Sequence, residues 1–211
     1  PNFVIMKLID THSHLYSSEF DQDRTVVVKA AISAGINTIL LPNISSEYTK
    51  GMNSLCAEFP DNCFAMMGLH PCDAKEETLS SELSHVEEEL AKGNYIAVGE
   101  IGLDLYWDKS TLAIQKKAFI HQIELAKKHN LPIAIHVRDS FSEAIEIIES
   151  LNDKSLRGVF HCFTGNLEDA QRVINLGGFY LGIGGVLTFK NSGLDTTIKE
   201  IDIQHLILET D

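Results

Sequence analysis

Several things are missing from this sequence. No apolar run reaches the roughly 18 residues that a membrane-spanning helix needs, so no stretch reads as a membrane span. Met6-Lys7-Leu8-Ile9 runs straight into strand-like sequence, so no secretory leader is expected; Pro1 to Ile5 reads as a tag remnant or an N-terminal extension. The four cysteines (Cys56, Cys63, Cys72, Cys162) are scattered, with no CxxC pair. That pattern fits reduced thiols in a cytoplasmic protein rather than a disulfide framework. Basic residues are scarce: 17 Lys and Arg face 30 Asp and Glu, for a net charge of −13. This argues against a broad basic face for nucleic acid, but not against a nuclease, because bound divalent cations supply positive charge locally. No Gly-rich fingerprint follows the first apolar stretch, which counts against a dinucleotide-binding doubly wound sheet.

What remains is an ordinary chain of 211 residues, 44% hydrophobic, enough for one domain over residues 1–211 with a large core. Short continuous apolar runs alternate with stretches of helical period. Strands are expected at 8–12, 36–41, 63–69, 95–98, 132–136, 158–161, 179–183 and 206–208. Helices are expected at 21–34, 47–59, 80–91, 111–128, 141–151, 167–176 and 194–200. Continuous apolar strands are what a parallel sheet buried on both faces requires. Eight such units, spaced 23 to 36 residues apart, predict an α/β fold of the (β/α)8 TIM-like barrel type. A doubly wound open sheet is the alternative. The sequence stops at Asp211, just after the eighth strand, so the expectation is a barrel lacking its last helix and a C-terminal segment of a few dozen residues.

Barrel enzymes carry their chemistry at the C-terminal ends of the strands. Here those ends hold His12, His14, His70, Glu100, His136, His161 and Asp211, five of the nine histidines. His12 and His14, two apart on a strand, share a face, with Asp10 below them as a buried support. His85, His121, His129 and His205 fall elsewhere and read as surface or capping residues. Five imidazoles converging with two carboxylates do not fit packing, because buried unpaired polar groups are costly. Four His with two carboxylates exceed the ligand set of one tetrahedral zinc. They suit two metals about 3.5–4 Å apart, with Glu100 as the bridge and Gly99 and Gly102 leaving room for close approach.

The ordered motifs Asp10-Thr11-His12-Ser13-His14, Gly68-Leu69-His70-Pro71, Gly99-Glu100-Ile101-Gly102-Leu103-Asp104, His136-Val137-Arg138, His161-Cys162-Phe163-Thr164-Gly165 and Glu209-Thr210-Asp211 resemble the TatD-type deoxyribonucleases. These are metal-dependent hydrolases of the amidohydrolase-like barrel superfamily. The resemblance covers residues 8–211, including Gly184 to Lys190. It implies metal ligands at His12, His14, Glu100, His136, His161 and Asp211. His12 and His14 would share one ion with Glu100 and Asp211, and His136 and His161 would hold the other. It further implies two divalent ions, magnesium or manganese for activity, although imidazole ligands also suit zinc or another transition metal. The implied reaction is phosphodiester hydrolysis of DNA, single-stranded or at ends, as an exonuclease, with Asp211 as general base. His70, outside the ligand shell, would bond the phosphate or leaving oxygen, or else the Pro71 turn. Arg138 is a bidentate phosphate clamp or a salt-bridge partner of Asp104 or Asp139. Tyr106 and Trp107 stack on an unpaired base or pack their loop. Asp104 would support a ligand histidine. The competing readings are hydrolysis of D-aminoacyl-tRNA or another ester or amide on the same barrel, and a non-catalytic metal-binding module.

Overall fold

The structure, a computed structural model, describes residues 7–211; the Pro1–Ile5 segment lies outside the described residues. Strand and helix alternate in the order β1 (Leu8–Asp10), α1 (Arg24–Ser33), β2 (Ile36–Pro42), α2 (Ser46–Glu58), β3 (Cys63–Met66), α3 (Leu79–Ala91), β4 (Val98–Asp104), α4 (Leu112–His129), β5 (Ile133–Arg138), α5 (Phe141–Leu151), β6 (Gly158–Phe160), α6 (Leu167–Asn175), β7 (Phe179–Ile183), α7 (Leu194–Lys199) and β8 (Leu206–Leu208). Every strand pairing is parallel, within the sheets β1-β2-β3 and β4-β5-β6-β7-β8.

Two seams close these sheets into a barrel. Met67 bridges to Val98, and the Gly99 N–H donates to Met67 O at 3.0 Å. On the other side the Thr11 N–H donates to Leu208 O at 3.0 Å. The fold is therefore the expected α/β barrel with eight strands and seven helices. No helix follows β8 among the described residues, and Ile9 on β1 and Leu208 on β8 are correspondingly exposed.

The strands carry the core: Ile39, Leu41, Val98, Ile101, Leu103, Ile135, Phe160 and Leu181 are almost fully buried. The longest helix, α4, buries Ala118, Phe119, Ile123, Leu125 and Ala126 against the sheet. Two glutamines share that buried face. The Gln122 amide takes the Leu69 N–H (2.7 Å) and donates to Leu69 O (3.1 Å); Gln115 does the same for Asp104 (2.8 Å each). Each glutamine satisfies strand-end backbone groups that have no ladder partner, and so fixes the chain just before His70 and at Asp104.

One expectation needs correction. The fourth strand is not 95–98 ending before Glu100; it is Val98–Asp104. A run with two glycines and two acids looks like a loop, yet all seven of its residues are buried. The glycines permit this. A Cβ on Gly99 would lie 2.7 Å from the Ala134 Cβ, and one on Gly102 would overlap the His136 carbonyl. β4 thus lies closer to β5 than side chains would allow, and its acids, Glu100 and Asp104, point into the barrel mouth. The pairing register slips between Val98 and Ile101, where Asn43 instead exchanges backbone hydrogen bonds with Gly99 and Glu100 (3.0 Å each).

Candidate metal centre

Glu100 is the hub. Its side chain is only 3% exposed. One oxygen lies 3.1 Å from His12 Nε2 and 3.2 Å from His14 Nε2; the other lies 2.8 Å from His136 Nδ1, 3.5 Å from His70 Nε2 and 3.6 Å from His161 Nε2. Asp211 closes the cluster from the β8 side. Its oxygens lie 4.0 Å from His12 Nε2, 3.9 Å from His14 Nε2 and 3.8 Å from His161 Nε2. It remains 44% exposed, at the edge of a cavity of about 330 Å³ that also admits His14, His70 and His136. All six residues of the expected ligand set, and His70, therefore converge.

Asp10 takes its expected supporting place. One carboxylate oxygen accepts from the His12 N–H (3.3 Å) and the Thr210 N–H (3.0 Å), and the other from the Thr210 hydroxyl (2.6 Å). It ties the end of β1 to the segment after β8. The Asp211 N–H completes the tie by donating to His12 O at 2.9 Å.

Hydrogen bonds on the far sides of the rings sort the imidazoles chemically. The Tyr16 hydroxyl donates to Pro42 O (2.5 Å), so its oxygen takes the proton of His14 Nδ1 (2.8 Å); His14 Nε2 is left as a lone pair. Asp104 lies 2.9 Å from His136 Nε2, which leaves Nδ1 toward Glu100. His161 Nδ1 faces Glu209 at 3.2 Å without making a hydrogen bond, and its Nε2 faces the cluster. His70 is the opposite case. Its Nδ1 accepts from the Cys72 N–H (3.2 Å), so its proton sits on Nε2, directed at Glu100. His70 thus caps the Pro71 turn, one of its two expected roles, and directs its Nε2–H into the site. His12 Nδ1 is buried without a partner.

The electrostatics agree. Burial and the neighbouring His161 ring, stacked at 3.5 Å, push the His12 imidazole below its ordinary value. Burial opposes ionisation of Glu100, but the surrounding His12, His70 and His161 outweigh it and hold the carboxyl well below its usual range. Burial also works against a charged His136, yet hydrogen bonds to Asp104 and Glu100 raise it to about 9. Asp104 is lowered to about 2, burial being overcome chiefly by its bond to His136. The His14 Nε2 lone pair lies 3.2 Å from His12 Nε2, which itself lies 3.1 Å from a Glu100 oxygen, so imidazole nitrogens and carboxylate oxygens converge on one point. That donor set fits a divalent cation, and the groups behind the rings are the outer partners that metal-ligating histidines require.

The remaining expected residues lie at the rim. The Arg138 guanidinium does not pair with Asp104 or Asp139. It lies over the Tyr106 ring, its Cζ 3.8 Å from the centroid, and 5.5 Å from that of Trp107. Tyr106 and Trp107 meet edge to face at 4.8 Å, and both stay exposed, Trp107 at 71%. They do not pack their loop into the core. Sequence reasoning gave no role to Tyr16 or Glu209. Tyr16 had a detectable signal, standing two residues beyond His14 on the same segment; Glu209 had only its place in the final motif.

A family profile described as TatD related DNase matches residues 9–211. The chain belongs to the TatD-related DNase family. Among TatD relatives it is 37% identical to a metal-dependent hydrolase, YabD, of Bacillus subtilis over 97% of this chain and 79% of that protein. It is 31% identical to a protein of Escherichia coli named 3'-5' ssDNA/RNA exonuclease TatD, over 97% of this chain and 78% of the relative. The crystal structure of the E. coli TatD homologue YjjV superposes with a TM-score of 0.89 at 29% identity, covering 98% of this chain and 80% of that one. Membership places the chain among metal-dependent hydrolases on a barrel. No helix among its described residues is long and apolar enough to cross a membrane.

Proposed function

We propose that this TatD-family chain hydrolyses phosphodiester bonds of single-stranded DNA, from an end, with two divalent ions held by His12, His14, Glu100, His136, His161 and Asp211. The observation that carries the reading is the sorting of the imidazoles. His14 turns a lone pair toward Glu100, His136 and His161 turn toward it the ring nitrogen opposite Asp104 and Glu209, and His70 turns an N–H into the same space. Ligands and a hydrogen-bond donor are what a two-ion phosphoryl site needs together. Relatives named as ssDNA/RNA exonucleases in E. coli and Yersinia pseudotuberculosis support the substrate class. When bound, the ions would polarise the phosphoryl oxygens and lower the pKa of water toward neutrality.

The chain's own groups do the rest. Asp211, partly exposed and facing three imidazoles, orients the attacking water and takes its proton. His70 Nε2–H bonds the phosphate or the leaving oxygen. Arg138, held against Tyr106, grips an adjacent phosphate by its free edge. Trp107 offers an open face to an unpaired base, a contact worth about 1–3 kcal/mol. A chain at −13 repels long duplex and leaves binding to these few rim groups.

The test is digestion of single-stranded DNA, duplex DNA, RNA and D-aminoacyl-tRNA with Mg²⁺ or Mn²⁺. Stepwise shortening of the single strand, abolished in Glu100→Ala, is expected. Equal degradation by wild type and Glu100→Ala, or turnover of the aminoacyl ester alone, overturns the reading.

A further inference from the structure

Glu209 is a buried acid that the proposed reaction does not use. It follows β8, its side chain is 0% exposed, and among the described residues its only ionic neighbour is His161, 3.2 Å away at Nδ1. The same oxygen accepts the Cys162 N–H. Cys162 turns the chain directly after His161 with φ of 44°, the left-handed region that non-glycine residues seldom enter. This turn aims its N–H at the carboxylate. The other oxygen, Oε2, and His161 Nδ1 are both buried without a hydrogen-bond partner, the 3.2 Å contact between Nδ1 and Oε1 lying off hydrogen-bond geometry. A carboxylate kept only for packing would not be left half satisfied, given the cost of burying a charge.

The place for Glu209 is made by Gly182 in β7. A Cβ there would lie 2.8 Å from Glu209 Cδ and would overlap Oε2. The three atoms nearest that Cβ all belong to Glu209, so the small size of Gly182 makes room for the acid. The arrangement repeats a pattern seen twice nearby: Asp104 behind His136, and Tyr16 behind His14.

From this geometry we infer that Glu209, seated by Gly182, is a positioning residue that fixes His161 in the Nδ1–H form and aims its Nε2 at one of the two ions. The inference rests on His161 being a metal ligand, as proposed above. It assigns to Gly182 a requirement that acts through two intervening side chains.

Calorimetric titration of Zn²⁺ or Mn²⁺ into the apoprotein tests it. Loss of an outer partner of a ligating histidine typically costs about 10–100-fold in metal affinity. Glu209→Leu, which keeps the space filled, should weaken one of two binding events by about that factor and leave the other unchanged. Gly182→Ala should do the same by displacing the acid. Glu209→Gln, whose amide oxygen still accepts from Nδ1–H, should stay within about threefold of wild type by the same reasoning. Wild-type affinity for both ions in Glu209→Leu, or Glu209→Gln as weak as Glu209→Leu, overturns the inference. His161→Ala separates the two claims. If it lowers affinity while Glu209→Leu does not, only the positioning role fails; if it changes nothing, the ligand assignment fails as well. Wild-type protein loaded with zinc gives a check that needs no variant. A long-range ¹H–¹⁵N spectrum should show His161 as Nδ1–H, and an Nε2–H form contradicts the inference.

Discussion

Replacing Asp104 by asparagine separates orientation of His136 from its protonation. In the metal-free protein Asp104 and Glu100 raise His136 to about 9 against the burial that opposes them, compared with about 6.5 for a free imidazole. At neutral pH an ion entering at Nδ1 must therefore expel a proton. While the pH stays below about 9, this one proton makes affinity rise about tenfold per unit, or about hundredfold and 2.7 kcal/mol between pH 6 and 8. Asp104→Asn removes the charge that sustains the raised value. The contribution of His136 to the slope should vanish above about pH 7, while the loosened ring lowers affinity at pH 8 by about 10–100-fold. Competition with a chelator, read at several pH values for both proteins, gives the two curves. Parallel curves, or a wild-type affinity that does not change between pH 6 and 8, refute the reasoning. The same proton bears on stability. A folded value raised above the unfolded one contributes fully below about 6.5 and is lost as pH climbs through about 9. Metal-free wild type should thus melt at a lower temperature at pH 9 than at pH 7.

Other outcomes follow from the same geometry. Gly102→Ala places a methyl group on the His136 carbonyl at a φ of 143°, which side chains rarely adopt; chemical denaturation should show a loss of more than about 3 kcal/mol, strain and overlap acting together. Tyr16→Phe removes the oxygen that holds the His14 Nδ1 proton and should lower metal affinity about tenfold with little change in melting temperature. Arg138→Ala removes the cation stacked on Tyr106; KM for a single-stranded oligonucleotide should rise about tenfold, kcat should hold, and the salt dependence of binding should fall by about one ion.

Much of this protein is legible in its sequence because barrel strands are short apolar runs at regular spacing and the site residues sit at their ends. The bounds of α5, β7 and β8 agree with expectation to the residue, and the other helices fall within a few residues of theirs. The resemblance to TatD proteins rests on the same strand ends. β4 escapes this reading because two glycines and two acids interrupt its apolar residues Val98, Ile101 and Leu103, leaving no continuous apolar run. The partners behind the imidazoles are legible only in part, for another reason. Asp104 reads as a support for a ligand histidine, but not for which one, since it reaches His136 across 32 positions; Glu209, which faces His161 across a still longer stretch of chain, has no such signal. Such pairs depend on which strands become neighbours on closing the barrel, and no local spacing encodes that. Gln115 and Gln122 were visible on the buried stripe of α4, but their bonds to Asp104 and Leu69 exist only once helix and strand ends meet. Arg138 shows the limit at the rim. Its charge suggested an acidic partner nearby, and the structure gives it an aromatic face instead.

The most direct measurement is titration of Mn²⁺ into metal-free protein while digestion of a single-stranded oligonucleotide is followed. If six ligands hold a pair of ions around Glu100, two equivalents bind and digestion appears only as the second is taken up. Full activity at one equivalent, or digestion that persists when a chelator has removed both ions, contradicts the account.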